Sequence, residues 1–81
     1  MKAKEEEKEA APFVYRSYGK SELASLYLPH ILPGSAMKAF NEWIIAFPGL
    51  TARLQATGFM RNAKRYTPAQ VRMIVEAIGE P

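Results

Sequence analysis

The sequence contains no cysteine and only one histidine, His30. Without cysteine there is no disulfide framework, no thiolate ligand for a metal and no thiol nucleophile. His30 lies in a connector directly after Pro29, and no second histidine is present to share a metal ion. These absences point away from catalysis and metal binding, and towards a binding protein that has no cofactor.

Long apolar runs are also missing. No stretch approaches the roughly 20 apolar residues that span a bilayer, and the opening MKAKEEEKEAAP lacks the apolar segment of a secretory signal. At 81 residues the chain has room for one domain with a modest core. We therefore expect one small soluble domain in the cytoplasm, with no membrane partner.

The acidic side chains are too scattered to suggest a catalytic pair. After residue 11 the carboxylates fall on different predicted elements, and they are Glu22, Glu42, Glu76 and Glu80. A general acid and a general base must lie within hydrogen-bonding reach of the same substrate, and a glycine-rich phosphate loop is absent as well. The sequence thus predicts that the protein is not an enzyme.

Charge is distributed unevenly along the chain. Residues 1–11 carry four glutamates and three lysines without an apolar stripe, which predicts a solvated charged tail. Residues 12–81, the predicted domain, carry eight basic and four acidic side chains. The domain is therefore the basic part of the chain, and a basic surface suits the phosphate backbone of a nucleic acid.

Short-range patterns predict the first two elements. The aromatic and β-branched residues of 13–18 favour a strand with Phe13 and Tyr15 on its buried side. Gly19, followed three residues later by Glu22, predicts the start of a helix that covers 20 to about 28, where Pro29 follows.

The second helix is expected to form the centre of the core. The connector 29–34 predicts a turn whose Ile31 and Leu32 tuck into the core, and Ser35 is expected to cap the helix that follows. Trp43 is the expected anchor of its apolar stripe, which consists of Ala36, Phe40, Trp43, Ile44 and Phe47. The opposite side carries Lys38, Asn41, Glu42 and Ile45.

A third helix and a hairpin are predicted next. Pro48 is expected at the first position of the helix, whose apolar side continues through Leu50 and Leu54 to a terminal Gly58. Between Phe59 and Tyr66 the pattern favours two short strands joined by a turn. The tip of this hairpin is basic, with the residues Arg61, Asn62, Ala63, Lys64 and Arg65.

The last helix has a clear start and end. Thr67, Pro68 and Gln70 predict a capped first turn, and Gly79 is expected to end the helix. Its apolar stripe consists of Val71, Ile74, Val75 and Ile78. The whole order predicts a mainly α fold with a small β component: four helices, a short hairpin and an N-terminal strand in a winged-helix-like, helix-turn-helix plan.

Two resemblances bear on this plan. The segment 18–44, with YGKSELASLY, a proline-rich turn and a helix containing EWII, resembles the opening of winged-helix DNA-binding domains of the excisionase and MerR type. That resemblance implies DNA binding, and such domains are often carried by mobile elements. The chain from Phe13 onwards, with YGKSELASLYLPHILP, ATGF and YTPAQVRMIVEAIGEP, is similar to a small bacterial family catalogued as a domain of unknown function, which supplies no activity.

DNA is the partner that these observations favour. The predicted nucleic-acid-binding residues are Lys38, Asn41, Arg53, Arg61, Lys64, Arg65 and Arg72. The basic hairpin would contact phosphates, while Asn41 and Ile45 have side chains suited to adenine and to a thymine methyl. A monomer would contact one half-site, so a homodimer or a helper protein is expected for specific binding.

Plainer interpretations stay open. The hairpin is equally consistent with a solvated turn, and Asn41 and Ile45 are equally at home on an ordinary helix surface. The alternative function is a protein-interaction module that uses Ile45 and Met73 and binds no nucleic acid.

Overall fold

The computed structural model of the protein describes residues 13–60 and 62–81. In chain order its elements are β1 (Tyr18–Gly19), α1 (Lys20–Tyr27), α2 (Pro33–Ala46), α3 (Leu50–Ala56), β2 (Arg65–Tyr66) and α4 (Pro68–Ile78). The fold is mainly α with a small β component, as the sequence predicts. The tail predicted for 1–11 lies outside the described residues.

The two strands form a short antiparallel sheet that joins the two halves of the domain. Tyr18 pairs with Tyr66, and Gly19 pairs with Arg65. The predicted hairpin between Phe59 and Tyr66 is therefore wrong, because the partner of β2 comes from the beginning of the domain. The side chains of Tyr18 and Tyr66 are both buried, so this small sheet is held by its packing on the core.

The strand predicted for 13–18 is also wrong except at its last residue. The hydroxyl of Tyr18 donates to the carbonyl of Val14 at 2.8 Å, which folds the segment back on itself. Phe13 stacks on Tyr18 with a centroid distance of 5.5 Å and meets Tyr15 edge-on at 5.4 Å. The aromatic residues thus pack against the core without the extended pairing that their β propensity suggests.

Local capping signals predicted the starts of α1 and α4 correctly. Gly19 is the N-cap of α1, and its backbone N–H donates to the carboxylate of Glu22 at 3.0 Å. Thr67 caps α4: its hydroxyl accepts from the N–H of Gln70 at 3.2 Å, and the Gln70 amide oxygen accepts from the N–H of Thr67 at 2.9 Å. Gly79 ends α4, as expected.

The start of α2 differs from the prediction. Ser35 was the expected cap, but the helix begins at Pro33 with Leu32 as its N-cap. Proline suits the first helical position because its φ is fixed near the helical value and its missing N–H is not needed there. Leu32 is 76% exposed and Ile31 is also exposed, so the expectation that they tuck into the core is wrong.

Phe40, and not Trp43, is the aromatic anchor of the core. Phe40 is 1% exposed and stacks on Tyr27 of α1 at a centroid distance of 4.8 Å. Trp43 is 41% exposed and contacts both of these rings edge-on. On the predicted stripe the structure buries Ala36, Phe40 and Ile44, while Trp43 and Phe47 lie at its margin.

Two glycines with positive φ determine the ends of α3. Gly49, at φ 80° and ψ −8°, is the N-cap, and the Leu50 N–H donates to the Phe47 carbonyl at 3.2 Å, as in a type II turn. Pro48 therefore belongs to this turn and is not the first helical residue. Gly58, at φ 90°, follows the helix as predicted.

The two faces of α3 and α4 that the sequence assigns to the core are buried. Leu50 and Leu54 of α3 are buried, as are Val71, Ile74 and Val75 of α4. Among the described residues, no helix is long and apolar enough to cross a membrane.

Because Phe40 is buried and Trp43 is partly exposed, the two side chains should contribute differently to stability. Phe40→Ala is expected to lower the free energy of unfolding by about 3–5 kcal/mol, because it opens a cavity in a packed core. Trp43→Ala is expected to cost less than about 3 kcal/mol, because its ring is partly solvated and its edge contacts are weak. Denaturant unfolding monitored by circular dichroism measures both values, and an equal loss for the two variants would contradict this packing.

Candidate functional site

The outer face of α2 carries two of the predicted site residues, Lys38 and Asn41. Lys38, Asn41 and Ile45 are exposed along it, and Ile45 is 64% exposed. Met37 and Glu42 are exposed as well. This face is opposite the stripe that packs against α1, because side chains three and four residues apart share one side of a helix.

Two adjoining depressions lie beside this face. The first has a volume of about 330 Å³ and is lined by Lys20, Asn41, Ile44, Ile45, Thr51, Leu54, Gln55 and Phe59. The second has a volume of about 320 Å³ and is lined by Lys20, Ser21, Met37, Asn62, Ala63 and Lys64. Lys20 lines both, and we call the two depressions together the groove.

Backbone contacts hold the walls of this groove together. The N–H of Lys20, at the start of α1, donates to the carbonyl of Lys64 at 3.0 Å, which fixes the turn 62–64 against α1. The ammonium group of Lys20 lies 5.4 Å from the ring centroid of Phe59. Lys64 of the predicted basic tip therefore lies beside α2, together with a lysine that the sequence did not single out.

Phe59 is positioned by the end of α3. Its N–H donates to the Leu54 carbonyl at 3.3 Å while the Gly58 N–H donates to the Gln55 carbonyl at 2.9 Å, which is a Schellman motif. The ring of Phe59 then stacks on Tyr66 with a centroid distance of 5.3 Å. Burial raises the pKa of Tyr66 to about 12, so this partner ring stays neutral.

Arg65, although predicted as a phosphate contact, is engaged in the fold. Its Nε donates to the Ser17 hydroxyl at 3.1 Å, and its NH2 group reaches the Ser17 carbonyl at 3.4 Å. These bonds tie β2 to the segment before β1. Its side chain remains exposed, and it does not line either depression.

Arg16 is a structural residue that sequence reasoning missed. Its guanidinium carbon lies 3.8 Å from the ring centroid of Tyr18, and its NH2 group bonds the Glu22 carboxylate at 2.9 Å. Hydrogen bonds from Arg16 and from the Gly19 backbone hold the pKa of Glu22 below its ordinary value. The i, i+6 spacing of Arg16 and Glu22 crosses a turn and a helix start, which no periodic pattern indicates.

The other predicted contacts are spread over the surface. Arg53 is exposed on α3, about 160° around the helix from Thr51 and Gln55, which line the first depression. Arg72 lies on α4 with its guanidinium carbon 4.3 Å from the ring centroid of Tyr15. Arg61 lies outside the described residues. Of the predicted residues, Asn41 and Lys64 line the depressions, Lys38 is exposed on the outer face of α2, and Arg53 and Arg72 line neither depression.

Two further residues from the sequence analysis are the single histidine, His30, and Met73, the candidate for a protein interface. His30 is exposed in the connector between α1 and α2. Met73 is half-buried and packs against the core, so it offers little surface to a protein partner. Across 13–60 and 62–81, no group of three histidine or acidic side chains is arranged to hold a metal ion.

Comparison with known proteins gives one match. A family model described as a domain of unknown function (DUF4248) matches residues 14–81, which include every helix and strand described above. Neither a curated protein nor a solved structure matches the chain.

The Arg16–Glu22 pair leads to a pH prediction. Glu22→Gln keeps an amide oxygen for the Gly19 N–H but removes the charge beside Arg16. Because the folded-state pKa of Glu22 is lowered, its contribution to stability is complete above the ordinary value of 4.5 and is lost as the pH falls through the lowered one. The stability difference between native protein and variant should therefore shrink at acid pH.

Urea unfolding at a series of pH values on both sides of 4.5 measures this difference. Arg16→Gln is the matched variant, because it removes the same ion pair from the other side and should reproduce the trend. A difference that stays constant with pH would show that the pair contributes nothing to stability.

Proposed function

The chain belongs to the family described as a domain of unknown function (DUF4248), and since that description names no activity, we propose from the geometry that it binds duplex DNA. In this proposal the outer face of α2 enters the major groove, and the lysines beside it contact phosphates. The observation that carries the proposal is the exposed outer face of α2 with Lys38 and Asn41, beside which lie depressions lined by Asn41, by Lys20 of α1 and by Lys64 of the turn 62–64.

The order of α1 and α2 supports this proposal. A short connector, 28–32, joins the eight-residue α1 to the fourteen-residue α2. In helix-turn-helix proteins the second helix lies in the major groove and the first crosses the backbone. A helix with its side chains is about 10–12 Å wide, which matches the roughly 12 Å width of that groove. The turn 62–64 would then take the position of a wing beside α2.

The exposed side chains of α2 have the chemistry for base contacts. An asparagine pairs with adenine through one donor and one acceptor, a lysine reaches the acceptors of guanine, and an apolar side chain meets the thymine methyl. Asn41, Lys38 and Ile45 supply these three groups on one face. Glu42 on the same helix is an acceptor of the kind that binds the cytosine amino group.

Phosphate contacts would come from the residues around α2. Lys64 is exposed on the turn that is bonded to the start of α1, and Lys20 borders both depressions. Each lysine that neutralises a phosphate releases counterions, so the affinity should fall steeply with salt. The proposal places the phosphate contacts here and not at Arg65, which is bonded to Ser17.

One observation favours a second candidate, a protein partner at the same face. Met37, Ile45 and Met60 are exposed large apolar side chains, and Met37 and Ile45 lie on α2 beside the groove. An interface of this kind depends on a few buried apolar anchors and responds little to salt. Salt dependence therefore separates the two candidates.

The test is a fluorescence-anisotropy titration with random-sequence duplex DNA at several salt concentrations. A variant with Lys38→Gln and Lys64→Gln should bind more weakly, because it loses a base contact and a phosphate contact, and the slope of log K against log salt should fall by about 1 for the phosphate contact of Lys64. The control variant, with Arg53→Gln and Arg72→Gln, removes the same charge outside the groove and should bind nearly as well as the native protein.

Three outcomes decide the proposal. Selective loss in the lysine variant supports DNA binding through this surface. Equal loss in both variants would mean that net charge alone drives binding, which contradicts the role of α2. Failure of the native protein to bind at low salt would reject DNA binding and favour the protein partner.

A further inference from the structure

The first depression has apolar walls that a DNA duplex does not need. They are formed by Ile44 and Ile45 of α2, by Leu54 of α3 and by Phe59. Ile44 and Leu54 are buried, so the depression extends down to the core. The only apolar group that a duplex presents in its major groove is the thymine methyl. With a volume of about 330 Å³, the depression is better matched to a large aliphatic or aromatic side chain.

Side-chain amides lie at the rim of this depression. Asn41 of α2 and Gln55 of α3 line it, and both are exposed. Each amide has two N–H donors and one carbonyl acceptor. A polypeptide backbone carries the complementary groups, one donor and one acceptor in each residue other than proline. The rim can therefore bind the backbone on both sides of an inserted side chain.

The charge around the depression is positive. Lys20 lines it, with its ammonium group 5.4 Å from the ring centroid of Phe59. Lys38 is exposed on α2 three residues before Asn41, and thus on the same face. None of the described residues that line either depression is acidic, and Glu42 lies about 100° around α2 from Asn41. A complementary partner carries carboxylates beside its apolar side chain.

We propose that the first depression docks an acidic segment of a partner protein. One large apolar side chain of the segment enters the depression, and carboxylates on either side of it face Lys20 and Lys38. The bound segment excludes DNA, because Asn41 and Ile45 line the depression and also belong to the face of α2 that would enter the major groove. The inference rests on the proposed function in this competition only, since the docking itself does not require DNA.

The acidic residues of this chain itself do not supply the segment. Residues 1–12 include four glutamates, but after Met1 their apolar residues are only alanine and proline. A few large apolar anchors carry most of the energy of a protein interface. The occupant is therefore a segment that combines acidic residues with such an anchor.

The experiment begins by selecting the segment. Random peptides displayed on phage are panned against the full chain at near-physiological salt. Enriched peptides should be acidic and should share one large aliphatic or aromatic residue. Enrichment of peptides without carboxylates, or no enrichment above an unrelated protein, overturns the proposal.

One enriched peptide is then synthesised and titrated into the ¹⁵N-labelled chain. It should shift the side-chain NH₂ signals of Asn41 and Gln55, which line the depression. Two matched peptides, one with its apolar anchor changed to alanine and one with its carboxylates changed to amides, should each bind about tenfold more weakly. A synthetic peptide of residues 1–12 should bind no better than the alanine form. Equal binding by any of these three peptides overturns the proposed chemistry.

Two matched pairs of variants locate the site. Ile45→Ala and Met60→Ala each shorten a side chain that is 64% exposed, but only Ile45 lines the depression. Gln55→Glu and Arg53→Gln each lower the charge of α3 by one, and Arg53 lies about 160° around the helix from Gln55. Ile45→Ala and Gln55→Glu should weaken peptide binding several-fold, whereas Met60→Ala and Arg53→Gln should leave it nearly unchanged. Equal effects within each pair overturn the assignment of the site.

A competition measurement separates this inference from the proposed function. The peptide is added to labelled random-sequence duplex bound to the chain, and release of the duplex supports the inference. Binding of both at once overturns the competition. Peptide binding without any duplex binding rejects the proposed function and leaves the docking site standing, whereas duplex binding without peptide binding has the opposite meaning. Shifts of the Asn41 and Gln55 signals on dilution of the chain alone would assign the depression to a second copy and overturn the proposal.

Discussion

The packing of α2 on α1 through Phe40 is the interaction on which the rest of the structure depends. Phe40 stacks on Tyr27, and the Tyr27 hydroxyl donates in turn to the carbonyl of Gly79 at the end of α4. Burial raises the pKa of Tyr27 to about 12, so this hydroxyl keeps its proton at neutral pH. One pair of rings thus links the first, second and last helices. The outer face of α2 lies opposite this contact and is exposed.

The small sheet also positions one wall of the groove, the turn 62–64. Strands of two residues have little stability of their own, and here Tyr18 and Tyr66 bury their rings to hold the pair in place. Once β1 and β2 are paired, the next backbone bond, from Lys20 to Lys64, follows from the register. The turn 62–64 is therefore placed beside α2 by two aromatic side chains rather than by its own sequence. A small domain gains a second wall for its groove at little cost in core volume.

The features that the sequence predicted correctly are those set by neighbouring residues. A glycine with an acidic residue three positions later starts α1, and a threonine–proline–glutamine pattern starts α4, because backbone N–H groups at a helix start donate to the nearest suitable acceptor. The wrong predictions concern choices made by distant contacts. Trp43 and Phe40 both fall on the apolar side of a helical pattern, and tertiary packing buries Phe40 against Tyr27 while Trp43 stays 41% exposed. The strand expected for 13–18 failed for the same reason.

The candidate site is harder to predict than the fold because its members share no local pattern. Lys38 and Asn41 were identified from one helix, whereas Lys20, Gln55 and Phe59 join them only through the packing of α1, α3 and the Schellman turn. Three arginines make contacts within the fold, since a guanidinium with several donors is readily used to tie segments together: Arg16 with Tyr18 and Glu22, Arg65 with Ser17, and Arg72 with Tyr15. Lys38 and Lys64, by contrast, are exposed on α2 and on the turn 62–64.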